Sequence, residues 1–387
     1  MENSFYNAKR ENKMSAGKFI ATSRGYRSFE PDPFPIMPDL SPQIYRTFER
    51  AVGALGTLNA LELVLPNLDL LIRPYALKEA LLSSEIEGTQ STLSEVMAEK
   101  SDSPKNVNIR EVKNYERAMR FGVDNILSEK GLPLSLRLIK ELHSILMRDV
   151  RGGEPQKTPG EFRRSQNWIG GKDIQTAAFV PCSPETLAAH LDNFEKAMYE
   201  DDLPDLIKAA LLHYQFETIH PFNDGNGRIG RMLITLFLID RKVLKRPMLY
   251  LSLYFKQYKT QYYDVLTYVR QTGDYGRWIQ FFLEGVIQVA EAIGRTTKAI
   301  LTLKETLKHE TKDPYNLIDC FFEDPFVEAE KIKDYTQTSI KTAYKLLDSF
   351  VENGILVQIT QGKRNRVFCF QRYLDLLNDT TLENTEE

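Results

Sequence analysis

Between positions 220 and 231 the chain reads His220-Pro-Phe-Asn-Asp-Gly-Asn-Gly-Arg-Ile-Gly-Arg231. Four kinds of chemical group are packed into that run. His220 can take a proton from an incoming hydroxyl near neutral pH. Asp224 is a hard carboxylate of the kind that holds Mg²⁺ beside phosphates. Asp224-Gly-Asn-Gly has the composition of a tight turn whose successive N–H groups converge on an anion. Arg228 and Arg231 are three apart and share one helical face, so their guanidinium forks can grip a polyphosphate together. A base, a metal carboxylate, an anion nest and two arginines are the equipment for attack on a phosphate.

Each piece has an ordinary alternative. A histidine before proline is commonly a helix end, Asp-Gly-Asn-Gly a hairpin turn, and two arginines three apart a solvated face. The conjunction between two helices is what favours chemistry. Residues 204–218 carry a helical pattern with Pro204 suited to the first turn. Pro221 ends that helix, because the residue before a proline resists the helical conformation. A second helix over 226–242 then points its positive end at the nest.

The surrounding elements are mostly helical from about 41 to 300. Pro74 can start a helix that continues through Tyr75-Ala-Leu-Lys-Glu-Ala-Leu-Leu and stops at Gly88. Further helical patterns cover about 92–99, 109–128, 134–148, 184–200, 255–270 and 276–305. Residues 1 to about 40 are polar and then punctuated by Pro31, Pro33, Pro35 and Pro38, which predicts an extended arm. The segment Asn167 to Pro181 has glycines near its middle and apolar runs on both sides, which predicts a small β-hairpin inserted in the helical body. Such insertions often serve binding.

The twelve-residue run resembles, position for position, the Fic family signature HPFx(D/E)GNGRxxR. Its flanks are similar too: Gly160-Glu-Phe-Arg-Arg-Ser-Gln-Asn-Trp-Ile-Gly, Phe179-Val-Pro and His213-Tyr-Gln-Phe-Glu-Thr-Ile. The likeness runs from about Phe34 to Val286. It implies an enzyme that transfers AMP from ATP to a Ser, Thr or Tyr hydroxyl of a protein and releases pyrophosphate. It further implies His220 as general base and Asp224 as the Mg²⁺ ligand. Gly225, Asn226 and Gly227 would hold the α-phosphate oxygens, Arg228 the β-phosphate region and Arg231 the γ-phosphate. The predicted hairpin around Ile174, Gln175, Thr176 and Ala177 would be a flap aligning the target by strand addition. Tyr263 would touch the adenine, with core packing an equal reading.

A second element resembles the family's inhibitory motif (S/T)xxxE(G/N): Ser83-Ser-Glu-Ile-Glu87-Gly88. Ser83 and Glu87 fall on one helix face, and Gly88 permits the helix to end directly after. The resemblance implies that Glu87 pairs with Arg231 and occupies the γ-phosphate position. In some relatives with this motif the glutamate instead helps water remove AMP, so addition and removal both stay open.

Residues 312–378 change character. Helical patterns at 314–322, 328–335 and 339–352 precede strand-like runs at 355–360 and 366–370, which together suggest a winged helix. Lys341 and Lys345 on the candidate recognition helix, with Lys363, Arg364 and Arg366 in the wing, suit phosphate contacts. A DNA-binding regulator that uses ATP only as a ligand is therefore the rival reading, and protein docking or dimerisation is the bland one.

The expected fold is mainly α. An arm and inhibitory-helix region spans 1–110, a helical Fic core with the flap 111–305 and the winged helix 312–378. An acidic tail over 379–387 is expected to fray. The chain of 387 residues has a formal net charge of −3, which gives no bulk attraction to nucleic acid or anionic membrane. Three widely spaced cysteines, no signal-like N-terminus and no long apolar run point to free thiols, a cytoplasmic location and no membrane span. The expected partners are ATP, Mg²⁺ and a protein bearing a hydroxyl. A homodimer and self-modification are left open.

Overall fold

A β-hairpin, not an extended arm, begins the described chain. The computed structural model describes residues 15–64, 69–101, 103–151, 158–201, 203–362 and 365–382. Strands β1 (Gly17–Ala21) and β2 (Arg27–Pro31) pair antiparallel, with Gly17 opposite Pro31. The prolines cluster from Pro31 onward, so they end β2 rather than forbid it. Phe29 is fully buried and meets Phe19 edge-on at 4.9 Å. The Phe29 N–H donates to the Val180 carbonyl at 2.9 Å, which fastens the hairpin to the body. The Glu30 carboxylate adds to that anchor, accepting from the Ser183 N–H and the Thr186 hydroxyl and meeting His190 Nε2 at 2.8 Å.

Helices α1 (Pro42–Val64) and α2 (Asp69–Ile86) follow. Pro74 lies inside α2 instead of starting it. It is the sixth residue of that helix, so the N–H it lacks would have served only the first turn. Next come α3 (Leu93–Ala98), α4 (Val107–Leu127), α5 (Leu136–Leu146), α6 (Pro184–Ala197), α7 (Asp205–Ile219) and α8 (Asn226–Asp240). α3 opens on a capping box between Thr92 and Glu95. The helix expected over 255–270 is two helices, α9 (Ser252–Gln257) and α10 (Lys259–Thr272), broken at Tyr258. α11 (Gly276–Glu310) is the longest of the described helices.

α7 and α8 form the centre. Every α7 residue from Leu206 to Ile219 is buried, and α8 is nearly as enclosed. A helix covered all round must sit in the core, and α2, α4, α6 and α11 supply the cover. Trp278 of α11 is fully buried and donates to the Ala210 carbonyl at 2.7 Å, tying the shell to the centre.

The C-terminal part contains α12 (Leu317–Glu323), β3 (Phe326–Glu328), α13 (Ala329–Thr336), α14 (Ile340–Glu352), β4 (Val357–Gln358), β5 (Val367–Cys369) and α15 (Gln371–Asn378). Its antiparallel sheet has the order β3-β5-β4. β3 and α15 escape sequence patterning because each is short. The tail does not fray where it is described. Asp379 offers its carbonyl to the buried Lys78 of α2 at 2.5 Å, Thr381 offers its own to Arg295 at 3.3 Å, and Leu382 is buried. Residues 383–387 lie outside the described chain.

The expected basic wing changes as well. Arg366 turns inward, paired with Asp348 and lying over the rings of Tyr344 and Phe368. Its charge is neutralised within the module rather than offered to phosphate. Lys363 and Arg364 lie outside the described residues, while Lys341 and Lys345 are exposed on α14. All three cysteines are buried and unpaired. Among the described residues no helix is long and apolar enough to cross a membrane.

Leu347 of α14 is fully buried. Leu347→Ala should cost about 2–5 kcal/mol through the lost side chain and the cavity left behind. Urea unfolding monitored by circular dichroism measures this; a loss below 0.5 kcal/mol would contradict the packing described.

Candidate active site

The α7–α8 junction is where the chemistry-bearing residues meet. α7 ends on His220 in the left-handed region, with φ 51° and ψ 62°. A histidine rarely adopts that conformation, so its surroundings must hold it there. α8 begins after Gly225, with φ 76°. A side chain at Gly225 would also meet the Met147 sulfur at 2.9 Å, so glycine is required there on two grounds.

Between them the loop is closed from inside. The Asn226 side chain donates to the Phe222 carbonyl and accepts from the Phe222 N–H, both at 2.8 Å. One donor and one acceptor of its amide are thereby committed to the loop. His143 of α5 stacks on the Phe222 ring at 3.7 Å, nearly parallel. His143 Nδ1 accepts the Gly160 N–H at 2.8 Å, which leaves Nε2 to donate to the Asp224 carbonyl at 3.0 Å. Burial pushes the His143 pKa down to about 4, so it works as a neutral strut.

His220 Nδ1 lies 3.3 Å from the Glu217 carbonyl. That contact assigns the proton to Nδ1 and the lone pair to Nε2. Burial, with Arg163 and Arg270 as further contributors, lowers the His220 pKa to about 4. The imidazole is therefore neutral at pH 7 and able to accept a proton.

Asp224 keeps a half-exposed carboxylate. One oxygen accepts the Gly225 N–H at 2.6 Å and lies 3.6 Å from the Arg228 guanidinium. An exposed carboxylate beside a buried arginine fits a hard divalent cation that would share its anionic ligands with that arginine. Arg228 is itself buried, one Nη touches the Met147 sulfur at 3.5 Å, and its Nε has no hydrogen-bond partner. A buried guanidinium N–H without an acceptor is costly, so an incoming anion would repay that cost.

Arg231 is held through Nε and one Nη. Its Nε donates to the Ser83 hydroxyl at 2.9 Å, and one Nη donates to the Ser83 carbonyl at 2.9 Å and to Glu87 Oε1 at 2.7 Å. Burial pushes the Glu87 carboxyl up, but Arg231, then Arg228 and His220, outweigh it, so its pKa is lowered. Gly227 makes room for this contact: a β-carbon there would sit 2.3 Å from Glu87 Oε1. α2 ends just before, at Ile86, and Gly88 turns the chain with φ 95°. The helix end is clamped from α9 and α10 by Lys256 on Glu85 and Lys259 on the Ile86 carbonyl, each at 2.6 Å. Behind Arg231, the carboxyls of Glu79 and Glu217 are buried and pushed up to about 7.

Tyr263 is 42% exposed, so it is not a core residue; its ring lies 5.1 Å from that of the buried Tyr262, and burial, then the Glu87 charge, push its pKa up to about 12. The segment expected to be a hairpin is a loop closed by a single bridge between Ile169 and Phe179. Gly170 and Gly171 take left-handed φ values of 67° and 75°, which break an extended run. A turn in which Asp173 accepts from Gln175 and Thr176 then replaces the strands. Within it Ile174 and Ala177 are half-buried, and Gln175 and Thr176 are exposed. Gln175 reaches across to the Arg24 carbonyl of the N-terminal hairpin at 3.1 Å. Sequence spacing gives no sign of His143; Arg163 and Asn167 lie in the family-like flank over 160–170, but nothing in that run shows that they reach the loop.

The Glu87–Arg231 pair yields a pH prediction. The carboxyl pKa is depressed on folding, so its contribution is complete above the ordinary 4.5 and is lost as pH falls through the lower folded value. Glu87→Gln should therefore melt below the parent at pH 7, and the gap should close below about pH 4.5. Thermal melts across pH test this; a gap that is unchanged at acid pH would refute it.

Two family models match the chain, one described as Fic/DOC family over residues 133–238 and one as Fic/DOC family N-terminal over residues 45–124. A protein of Aedes aegypti named Protein adenylyltransferase Fic is 31% identical over 202 residues, covering 51% of this chain and 35% of that protein. Its namesake in Drosophila willistoni is 32% identical over 177 residues, covering 45% and 32%. The chain thus spans about a third of the length of these curated relatives. A crystal structure of a Fic family protein from Desulfovibrio desulfuricans G20 superposes with a TM-score of 0.57 at 18% identity, over 91% of this chain and 99% of that one. Fic-1 from C. elegans superposes with a TM-score of 0.51 at 20% identity, over 67% and 75%. With its signature at the α7–α8 junction and matches to both the N-terminal and the core segments, the chain belongs to the Fic/DOC family.

Proposed function

We propose that this protein is a self-restrained protein adenylyltransferase, using Mg²⁺-ATP to attach AMP to hydroxyl side chains. The observation that carries the reading is a neutral imidazole at the end of α7, His220, facing the start of α8, where a buried Arg228 has an Nε without an acceptor. A base and an unsatisfied cation on the two helix ends that flank one short loop suit a hydroxyl attacking a bound phosphate.

In this reading the target hydroxyl loses its proton to His220 Nε2 as its oxygen attacks the α-phosphorus. The bond from that phosphorus to the β-phosphate oxygen breaks, and pyrophosphate leaves. The backbone of Gly225 to Gly227 and the start of α8 receive the α-phosphate oxygens. Arg228 takes the β-phosphate region. Asp224 would hold Mg²⁺, which supplies positive charge against the phosphate oxygens. Tyr263 borders the adenine, and the loop around Ile174 to Ala177 borders the target.

Glu87 is the restraint. It holds the Arg231 nitrogen at 2.7 Å that would otherwise meet the γ-phosphate. While the pair persists, ATP lacks its outer anchor and lies poorly for in-line attack. The C-terminal part, with α12, α13 and α14 packed beside a sheet of order β3-β5-β4 and α15 following, fits a winged helix.

Incubation with labelled ATP and Mg²⁺, alone and in a lysate, tests the reading. Glu87→Gly should raise labelling of protein at least about tenfold, about 1.4 kcal/mol in barrier terms. His220→Ala in that background should lower it by about 10²–10⁴. A Glu87→Gly protein that binds nucleotide yet labels nothing, itself included, would sink the proposal.

A further inference from the structure

The C-terminus of α7 presents orphan carbonyls, as every helix end does. Here Pro221 and the left-handed His220 stop the helix abruptly, so no following turn satisfies them. A buried arginine from another segment takes up this duty. Arg163 Nε donates to the His220 carbonyl at 3.0 Å, and one Nη donates to the Ile219 carbonyl at 3.3 Å. The same Nη donates to the Cys182 carbonyl at 2.6 Å, and the Arg163 N–H donates to the Pro221 carbonyl at 2.9 Å. Asn167, four residues on, donates its amide to the His220 carbonyl at 3.2 Å and the Phe222 carbonyl at 2.8 Å.

We propose that Arg163 and Asn167 form a carbonyl clamp that positions His220 for proton transfer. They touch neither its ring nor a reacting atom, so they are positioning residues. The inference rests on the reading of His220 as the base. Its physical content is directional. A left-handed histidine would relax toward a commoner conformation without a fixed peptide on its C-terminal side. The clamp fixes that peptide from two donors. The negative end of the α7 dipole favours a cation here, but only a guanidinium can fork to carbonyls at Ile219, His220 and Cys182 together. A lysine would keep the charge and lose the fork. The arginine charge also helps to keep the imidazole unprotonated.

The test uses the full chain in the Glu87→Gly background. Arg163→Lys should lower kcat for AMP incorporation about 100-fold and Asn167→Ala about tenfold, with KM for ATP within about twofold of the parent. Arg163→Met should in addition move the acid limb of the pH–rate profile to higher pH, whereas Arg163→Lys should leave that limb in place. A purely structural role would move neither the limb nor the split between kcat and KM. Folded Arg163→Lys and Asn167→Ala proteins with parental kcat would overturn the clamp. If Arg163→Lys fails to fold, parental kcat in Asn167→Ala overturns it alone. The parallel His220→Ala control separates the two ideas: retained labelling there removes the base and the clamp together, while lost labelling with parental rates in the clamp variants removes the clamp only.

Discussion

The 2.7 Å contact between Glu87 and Arg231 is the interaction on which the rest of the site depends. Arg231 is buried at the centre of the fold, on a helix enclosed on every side. A guanidinium cannot stay there unpaired without a cost of several kcal/mol. Its position therefore demands an anion, and the chain supplies one from the end of α2. In the proposed function a phosphate that displaced Glu87 would inherit a desolvated, preorganised cation. Gly227 belongs to this constraint as well. Its missing side chain lets Glu87 approach α8, where a methyl group would collide with the carboxylate.

A second constraint concerns the loop that follows α7. Its backbone runs through two left-handed residues, His220 and Gly225. Only the glycine adopts that conformation freely. The strain at His220 is offset by hydrogen bonds converging from α5, α8 and the segment 163–167. These hold the His220 peptide in place, close the loop through Asn226 and leave Asp224 at the surface. The Glu87 contact and the loop share one helix: α8 carries Arg231 toward Glu87 and begins directly after the loop.

Much of this was legible in the sequence where spacing alone carries the information. His220 to Arg231 and Ser83 to Gly88 are short runs whose helical register already puts their key side chains on defined faces. What was illegible depends on contacts between distant segments. His143 lies 81 residues from the Asp224 carbonyl it supports, and Arg163 lies 57 from that of His220. No local pattern announces His143, and the family-like flank that contains Arg163 does not show which carbonyls it holds. Composition misled where backbone conformation decides the outcome. Gly170 and Gly171 suggested a hairpin turn, yet the chain runs on through a second turn at Asp173 before Phe179 comes opposite Ile169. The prolines after β2 suggested an irregular arm and hid the hairpin before them. Arg366 read as a wing cation because sequence does not show that Asp348 and two aromatic rings receive it.

If Glu87 occupies the place of the outer phosphate, its removal should benefit ATP far more than ADP. The most direct measurement is the ratio of ATP to ADP affinity by calorimetry with Mg²⁺, in the parent and in Glu87→Gly. The account predicts that this ratio rises about tenfold or more in the variant, a gain of about 1.4 kcal/mol specific to the third phosphate. An unchanged ratio, with both affinities intact, would show that Arg231 is not withheld from ATP by Glu87 and would contradict the account at its centre.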